Sequence, residues 1–242
     1  MNTETFLEQS DEKHDTTNLV SKQILKIILF ILVLAILLFV SSGRVTWVMA
    51  WVYICVYVVG TIINALLIIP HKPDLLIERT RIKKDAKKWD RIFAPFMAGL
   101  SPAITITVAG LDARFAWSPQ IPLMLQIIAT VVAMLGHLLL TWAMVTNNFF
   151  SAVVRIQKDR GHTVVTTGPY HYVRHPGYVG IIVFGIVTPL ILGSLWAFIP
   201  ATFMLCISVL RTALEDRTLK EELEGYKDYA EHVRYRLLPG IW

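Results

Sequence analysis

Two polar clusters hold the residues of this sequence whose types and spacing could do chemistry. The first, Gln157 to Tyr178, reads Gln-Lys-Asp-Arg-Gly-His-Thr-Val-Val-Thr-Thr-Gly-Pro-Tyr-His-Tyr-Val-Arg-His-Pro-Gly-Tyr. The second is Arg211 with Glu215 and Asp216. Residues four apart share one face of a helix, so Arg211 and Glu215 can act on one ligand. Ionisable groups at the edge of a bilayer are costly, which points to a purpose; an interfacial ion pair that snorkels to water is the competing explanation. The common soluble ways of holding a nucleotide are missing, since no glycine fingerprint, P-loop or zinc-protease motif occurs. Cys55 and Cys206 lie far apart in apolar runs, which supports neither a disulfide nor a zinc site and suggests small core residues.

The elements that must position these clusters are membrane spans. With 55% hydrophobic and 17% charged residues in 242, the chain carries more apolar surface than a soluble domain of this length can bury. Spans are predicted at about 22–40, 46–69, 92–111 and 121–145, followed by an apolar run over 178–210. That run is too long for one span, and Pro189 with Gly193 marks a break, so a tight helical hairpin is expected. The fold class is therefore all-α, a polytopic membrane bundle of about six transmembrane segments. The third span contains Pro95, Ser101 and Pro102, breakers that need neighbouring helices to satisfy the freed backbone, so it should lie inside the bundle.

The polar, acidic stretch 1–18 is expected to be a disordered tail, and residues 19–242 to form a single membrane domain. The basic residues between Pro70 and Arg91 should keep that loop cytosolic, which places both termini and both polar clusters on the cytosolic side. The net charge of +5 thereby reflects topology, and neither nucleic acid nor a metal is expected as a partner. Trp47, Trp51, Trp117, Trp142 and Trp196 fall near span ends, where indoles anchor at the headgroups. His137, in the fourth span, is most simply a hydrogen-bonded packing residue.

Gly168-Pro169-Tyr170, then Arg174-His175-Pro176-x-Tyr178, then Arg211-x-x-x-Glu215, and finally Arg234-Tyr235-Arg236-Leu237-x-Pro239-Gly240-Ile241-Trp242 form an ordered set. In that order they resemble the isoprenylcysteine carboxyl methyltransferase family, which is related to the phospholipid N-methyltransferases. The resemblance covers 136–242; the first half matches only as generic spans. Two departures stand out: the stretch from Gln157 to His162 is shorter than in the eukaryotic enzymes, and Gly177 stands where Ser is common.

The resemblance implies a methyltransferase that uses S-adenosylmethionine as cofactor and acts on a lipophilic acceptor, such as a prenylcysteine-like carboxylate, reached from the membrane lipids. It implies cofactor contacts from Gln157, His162, Thr163, Val164, Val165, Tyr170, His175, Pro176, Gly177, Tyr178 and Glu215. Tyrosine rings can stack on adenine or meet a sulfonium, and Glu215 can hold an ammonium group. Arg211 would be catalytic, clamping the acceptor in bidentate fashion. A carboxylate acceptor is already ionised near pH 7 and needs positioning rather than a base; an amine would need one, with His175 or Glu215 nearest. Asp216 has no assigned role and could cap or solvate the helix starting near it. A phospholipid N-methyltransferase, a sterol-type reductase using NADPH and a non-catalytic membrane factor remain alternatives.

Overall fold

The computed structural model describes residues 3–70, 72 and 86–242, with side chains from residue 21 onward. Its elements are α1 (Thr3–Ser42), α2 (Val48–Ile68), α3 (Asp90–Phe115), α4 (Leu123–Thr146), α5 (Pro176–Leu192), α6 (Phe198–Glu222) and α7 (Tyr226–His232). Five of these, with α1 counted from Ser21, are long and apolar enough to cross a membrane, and α5 is a shorter apolar helix. No strand occurs among the described residues. The expected all-α bundle of about six segments is what the chain forms, and the protein is an integral, multi-pass membrane protein.

Exposed Ile, Leu and Val side chains cover the outside of α1 and α4, where lipid replaces water as the surrounding solvent. Hydrocarbon gives helices no hydrophobic reason to associate, so contact depends on close packing at small residues. Glycines sit where the helices meet. A Cβ on Gly110 of α3 would lie 1.8 Å from Ser41 Oγ of α1, and one on Gly180 of α5 would lie 2.5 Å from the Gly136 carbonyl oxygen of α4. Gly136 and Gly180 thus serve the α4–α5 crossing.

The third span is interrupted as its sequence requires. An α-helical turn over Asp90–Pro95 passes into a π-helical turn at Phe96–Leu100 and returns to α-helix at Ser101–Phe115. Its most apolar stretch is also the most buried among the five, in line with its expected place inside the bundle. At its far end the carboxylate of Asp112, buried, accepts from the Ser118 backbone N–H at 2.7 Å and from the hydroxyls of Ser118 and Ser194. That knot ties α3 to the α5–α6 turn. The turn itself is the expected hairpin: α5 stops at Leu192, Gly193 takes a left-handed φ of 73°, and α6 runs back beside α5.

Helix α5 has 17 residues and α6 has 25, or about 26 and 38 Å at 1.5 Å per residue. The surplus projects the last third of α6 beyond the start of α5. Arg211, Glu215 and Asp216 therefore lie within one continuous helix, not at a helix start as the sequence suggested.

The backbone is helical from Thr3 through Ser42, a run that no Gly or Pro interrupts. Cys55 and Cys206 are exposed on the lipid side rather than in the core. Trp47 is buried, while Trp51, Trp117, Trp142 and Trp196 are exposed. Arg79, Arg81, Lys83 and Lys84 of the basic loop lie outside the described residues.

Candidate active site

The loop 147–175 folds back over the protruding part of α6. Its Gly168–His171 turn starts on a glycine with φ 58°, and Pro169 enters the turn with its φ already set. Tyr170 anchors this turn to the end of α4: its hydroxyl accepts from Asn147 Nδ2 at 3.2 Å, and its carbonyl accepts from the Tyr229 hydroxyl at 2.6 Å. Burial pushes the Tyr170 phenol well above its ordinary range, so it stays protonated. Asn147, which the sequence left unassigned, is thus part of the site.

Asp216, without a role from sequence, is the electrostatic centre. It is 1% exposed and accepts from Arg174 Nε at 2.7 Å and Nη2 at 3.1 Å, from the Tyr226 hydroxyl at 3.1 Å and from Arg236 Nε at 3.0 Å. His175 Nε2 lies 3.3 Å away and Lys220 Nζ 3.2 Å. It joins the Arg-His-Pro motif, α6, α7 and the Arg-Tyr-Arg segment rather than capping a helix. The backbone repeats this join, with the N–H groups of Arg174 and His175 donating to the carbonyls of Tyr235 and Arg236 at 3.0 Å each.

A second buried pair joins α6 to the start of α3. Arg211 donates from Nε to Asp90 Oδ1 at 2.6 Å, from Nη2 to Asp90 Oδ2 at 3.0 Å, and from Nη2 to the Ala152 carbonyl at 3.0 Å. Asp90 also accepts from the Val154 N–H at 2.6 Å. The bidentate fork expected to grip an acceptor is therefore spent on Asp90, leaving the Nη1 end. Nor does Arg211 pair with Glu215, whose Oε2 accepts from the Tyr178 hydroxyl at 2.6 Å. The Arg211 guanidinium lies 5.3 Å from the Tyr178 ring centre. The side chain is buried, so the snorkelling explanation fails.

Arg174, His175, Tyr178, Arg211 and Glu215 border one cavity of about 410 Å³. All twelve residues assigned from sequence line it except Gln157 and Pro176. Gln157 is fully buried as a strut, donating from Nε2 to the Phe149 carbonyl at 2.7 Å and accepting from Arg160 at Oε1. Pro176 opens α5 as a buried first-turn residue. Residues that sequence reasoning missed, Arg174, Tyr226, Tyr229 and Phe149, also line the cavity, and so do Phe30, Leu34, Tyr53, Tyr57 and Met97 from the first half. The cavity thus has a polar limb under the loop and an apolar limb among α1, α2 and α3.

His162 accepts from the Gln157 backbone N–H at Nδ1, 3.3 Å away, which places its own proton on Nε2. Burial, then the nearby charges of Arg155 and Arg160, lowers its pKa to about 4. Between that value and the unfolded 6.5 the unfolded chain binds the extra proton. His162 therefore adds stability above pH 6.5 that is lost as pH falls toward 4. Thermal unfolding from pH 7 to 4.5 should show a steeper loss in wild type than in His162→Gln; parallel curves would count against this.

Gly177 also has a local explanation. A Cβ there would lie 2.6 Å from Phe150 Cε2, so the large ring takes the space that a serine needs. Gly177→Ser should cost roughly 1–3 kcal/mol through overpacking, and adding Phe150→Leu should recover most of it in the same melting assay.

Taken together, fold and site define an intramembrane helical protein with a polar ligand chamber at one end, opening into an apolar channel. Residues 127–223 match the model of the isoprenylcysteine carboxyl methyltransferase (ICMT) family, which bears out the resemblance carried by the motifs. The chain is 31% identical over 119 residues to the protein-S-isoprenylcysteine O-methyltransferase of Saccharomyces cerevisiae, covering 48% of this chain and 47% of that one. It is 41% identical over 111 residues to the same-named protein of Schizosaccharomyces pombe, covering 44% and 45%. The matches thus span under half of either relative's length. A solved structure of the eukaryotic intramembrane Ras methyltransferase ICMT superposes with a TM-score of 0.54 at 23% identity, over 87% of this chain and 73% of that one, a likeness of fold.

Proposed function

We propose that this protein transfers a methyl group from S-adenosylmethionine to the carboxylate of a lipophilic, prenylcysteine-like acceptor that enters from the bilayer. One observation supports the reading above all: a polar limb lined by the motif residues is continuous with an apolar limb. A water-soluble acceptor has no use for the second.

The polar limb fits the cofactor. Tyr170, Tyr178, Tyr226 and Tyr229 supply ring faces, and Glu215 keeps Oε1 without a hydrogen-bond partner among the described residues, suited to an ammonium group. His162 offers Nε2–H to a carboxylate or hydroxyl, and Thr163, Val164, Val165, His175 and Gly177 border the same space. The cofactor supplies an electrophilic methyl group on a cationic sulfur. Arg211, held by Asp90, presents Nη1 to the acceptor carboxylate and orients it; no proton needs to move, so no general base is required. Both polar clusters and both termini face the cytosol under the positive-inside rule.

The test is calorimetric binding of S-adenosylhomocysteine to the full chain in detergent, with Glu215→Ala alongside, followed by incubation with methyl-labelled cofactor and a prenylcysteine. Binding weakened at least tenfold by Glu215→Ala, and label released as methanol by mild alkali, are expected. Alkali-stable label would move the acceptor to an amine. No binding to folded wild type, with binding of NADPH instead, would overturn the methyltransferase.

A further inference from the structure

The apolar limb ends at a sealed floor. Leu34 of α1, Tyr53 of α2, Thr105 of α3 and Thr188 of α5 all border the cavity. One turn further from the loop, Leu38, Ala50, Ala109 and Ile191 on the same four helices are each 0% exposed; none borders it, and all belong to one packed core. Phe30 and Tyr57, one turn nearer the loop, have ring centres 5.4 Å apart, so Leu34 and Tyr53 share a level. Tyr53 shares it with Thr188 as well, since its hydroxyl pairs with that side chain. The Tyr53 ring is buried 5.8 Å from the Phe184 ring centre, and the Thr188 hydroxyl donates to the Phe184 carbonyl at 2.8 Å. The floor therefore presents no unsatisfied polar group, as suits a hydrocarbon tail.

Between floor and loop the wall is aromatic. The His137 imidazole fills the space beside Gly60 of α2, where a Cβ would stand 2.0 Å from Cδ2, and lies 4.8 Å from the Phe184 ring centre and 5.9 Å from that of Tyr57. It packs, as the sequence suggested, but its Nδ1 is buried with no hydrogen-bond partner among the described residues. Ala98, in the π-helical turn of α3, borders the cavity and is exposed, so the limb opens to lipid there. The reacting end is marked on α5 by Tyr178, whose ring centre lies 5.3 Å from the Arg211 guanidinium. Thr188 is ten residues further along that helix, or about 15 Å. That is half of a hydrocarbon core of about 30 Å, and the length of about three extended isoprene units.

We propose that Tyr53, braced by Thr188, is a specificity-determining residue that limits the acceptor to a prenyl chain of about three isoprene units. This rests on the reading of the cavity as the seat of a lipophilic acceptor and names the length of its chain. Burial alone discriminates little, because the surrounding lipid tails are as apolar as the limb and a chain that fits gains little by leaving them. Length is read by steric exclusion instead. A fourth unit has to overpack the floor or turn back toward the mouth at Ala98, and either shifts the carboxylate away from Arg211.

The experiment measures binding and methyl transfer for N-acetylcysteines carrying two, three or four isoprene units, with the full chain in phosphatidylcholine nanodiscs. Wild type should bind the two shorter compounds alike and the longest roughly tenfold more weakly, with the same ratio in kcat/KM. Tyr53→Ala should bring the longest compound to within about threefold of the three-unit one, while Tyr53→Phe, which keeps the ring, should leave the gap. Unchanged binding of S-adenosylhomocysteine reports an intact fold, and Tyr53→Leu replaces Tyr53→Ala if the latter fails that check. Equal binding of the three- and four-unit compounds by wild type, a result that needs no variant, would overturn the proposal, since the tail then leaves by the mouth at Ala98. A gap that survives loss of the ring would overturn it too. If no compound is methylated but the length limit in binding remains, the methyltransferase reading falls and the gauge stands; methylation of all three at one rate does the reverse, and binding of none sinks both.

Discussion

Asp216→Ala should be the most destructive single substitution in this protein, lowering stability by about 3–5 kcal/mol. The carboxylate is 1% exposed and compensates Arg174, Arg236 and Lys220 while holding the Tyr226 hydroxyl and His175. Removing it strands the Arg174 guanidinium, which is buried and keeps the carbonyls of Val233 and Arg234 as acceptors but no carboxylate among the described residues. Against a typical total stability of about 5–15 kcal/mol, that is a large share. The apparent melting temperature of the purified protein should fall by roughly 10 °C or more. Asp216→Asn keeps the shape and loses the charge, and should fall between the two. Because the network is buried, the difference should survive raised salt. The exposed pair of Arg217 with Glu221 is the internal control: Arg217→Ala should melt like wild type. If Asp216→Ala melts like that control, the network is not what joins the loop to α6.

Asp90→Ala should rank second in stability and first in separating structure from catalysis. It leaves Arg211 buried without its partner and takes the acceptor from the Val154 N–H, so a loss of about 3–5 kcal/mol is expected. Replacing both members of a buried ion pair by apolar groups is far less costly than removing one. The double variant Asp90→Ala with Arg211→Met should therefore recover much of the melting temperature, with a coupling of about 1–3 kcal/mol in the mutant cycle. Under the proposed function, methyl transfer should not return, since Nη1 is lost with the guanidinium, while S-adenosylhomocysteine should still bind through the Glu215 side of the cavity. Turnover restored along with stability would mean that Arg211 serves only the fold.

These two positions also show where sequence reading reached and where it stopped. Span number, the α5–α6 hairpin and the broken third span follow from local properties: runs of apolar residues near bilayer length, and Pro or Gly where a backbone must turn or break. The loop from Gln157 and the motif set from Gly168 to Trp242 marked the chamber, and ten of the twelve residues assigned there do line it, because a short loop and one helix face keep neighbours in sequence neighbours in space. Asp90 lies 121 positions from Arg211, and apart from Lys220, one helical turn on, Asp216 takes its partners from 42, 41, 20 and 10 positions away. No spacing rule reaches across such separations, so the choice of charge partners waited on the packing of α3, α6 and the segment after α7. The same holds for His137. Its residue type and place on α4 were plain, but whether its nitrogens are satisfied depends on what α2 and α5 bring to them. Hydrophobic patterning by itself determines which segments cross the bilayer. Which buried polar atoms find partners is decided by the tertiary structure, since a hydrogen bond is made or lost over a few tenths of an ångström.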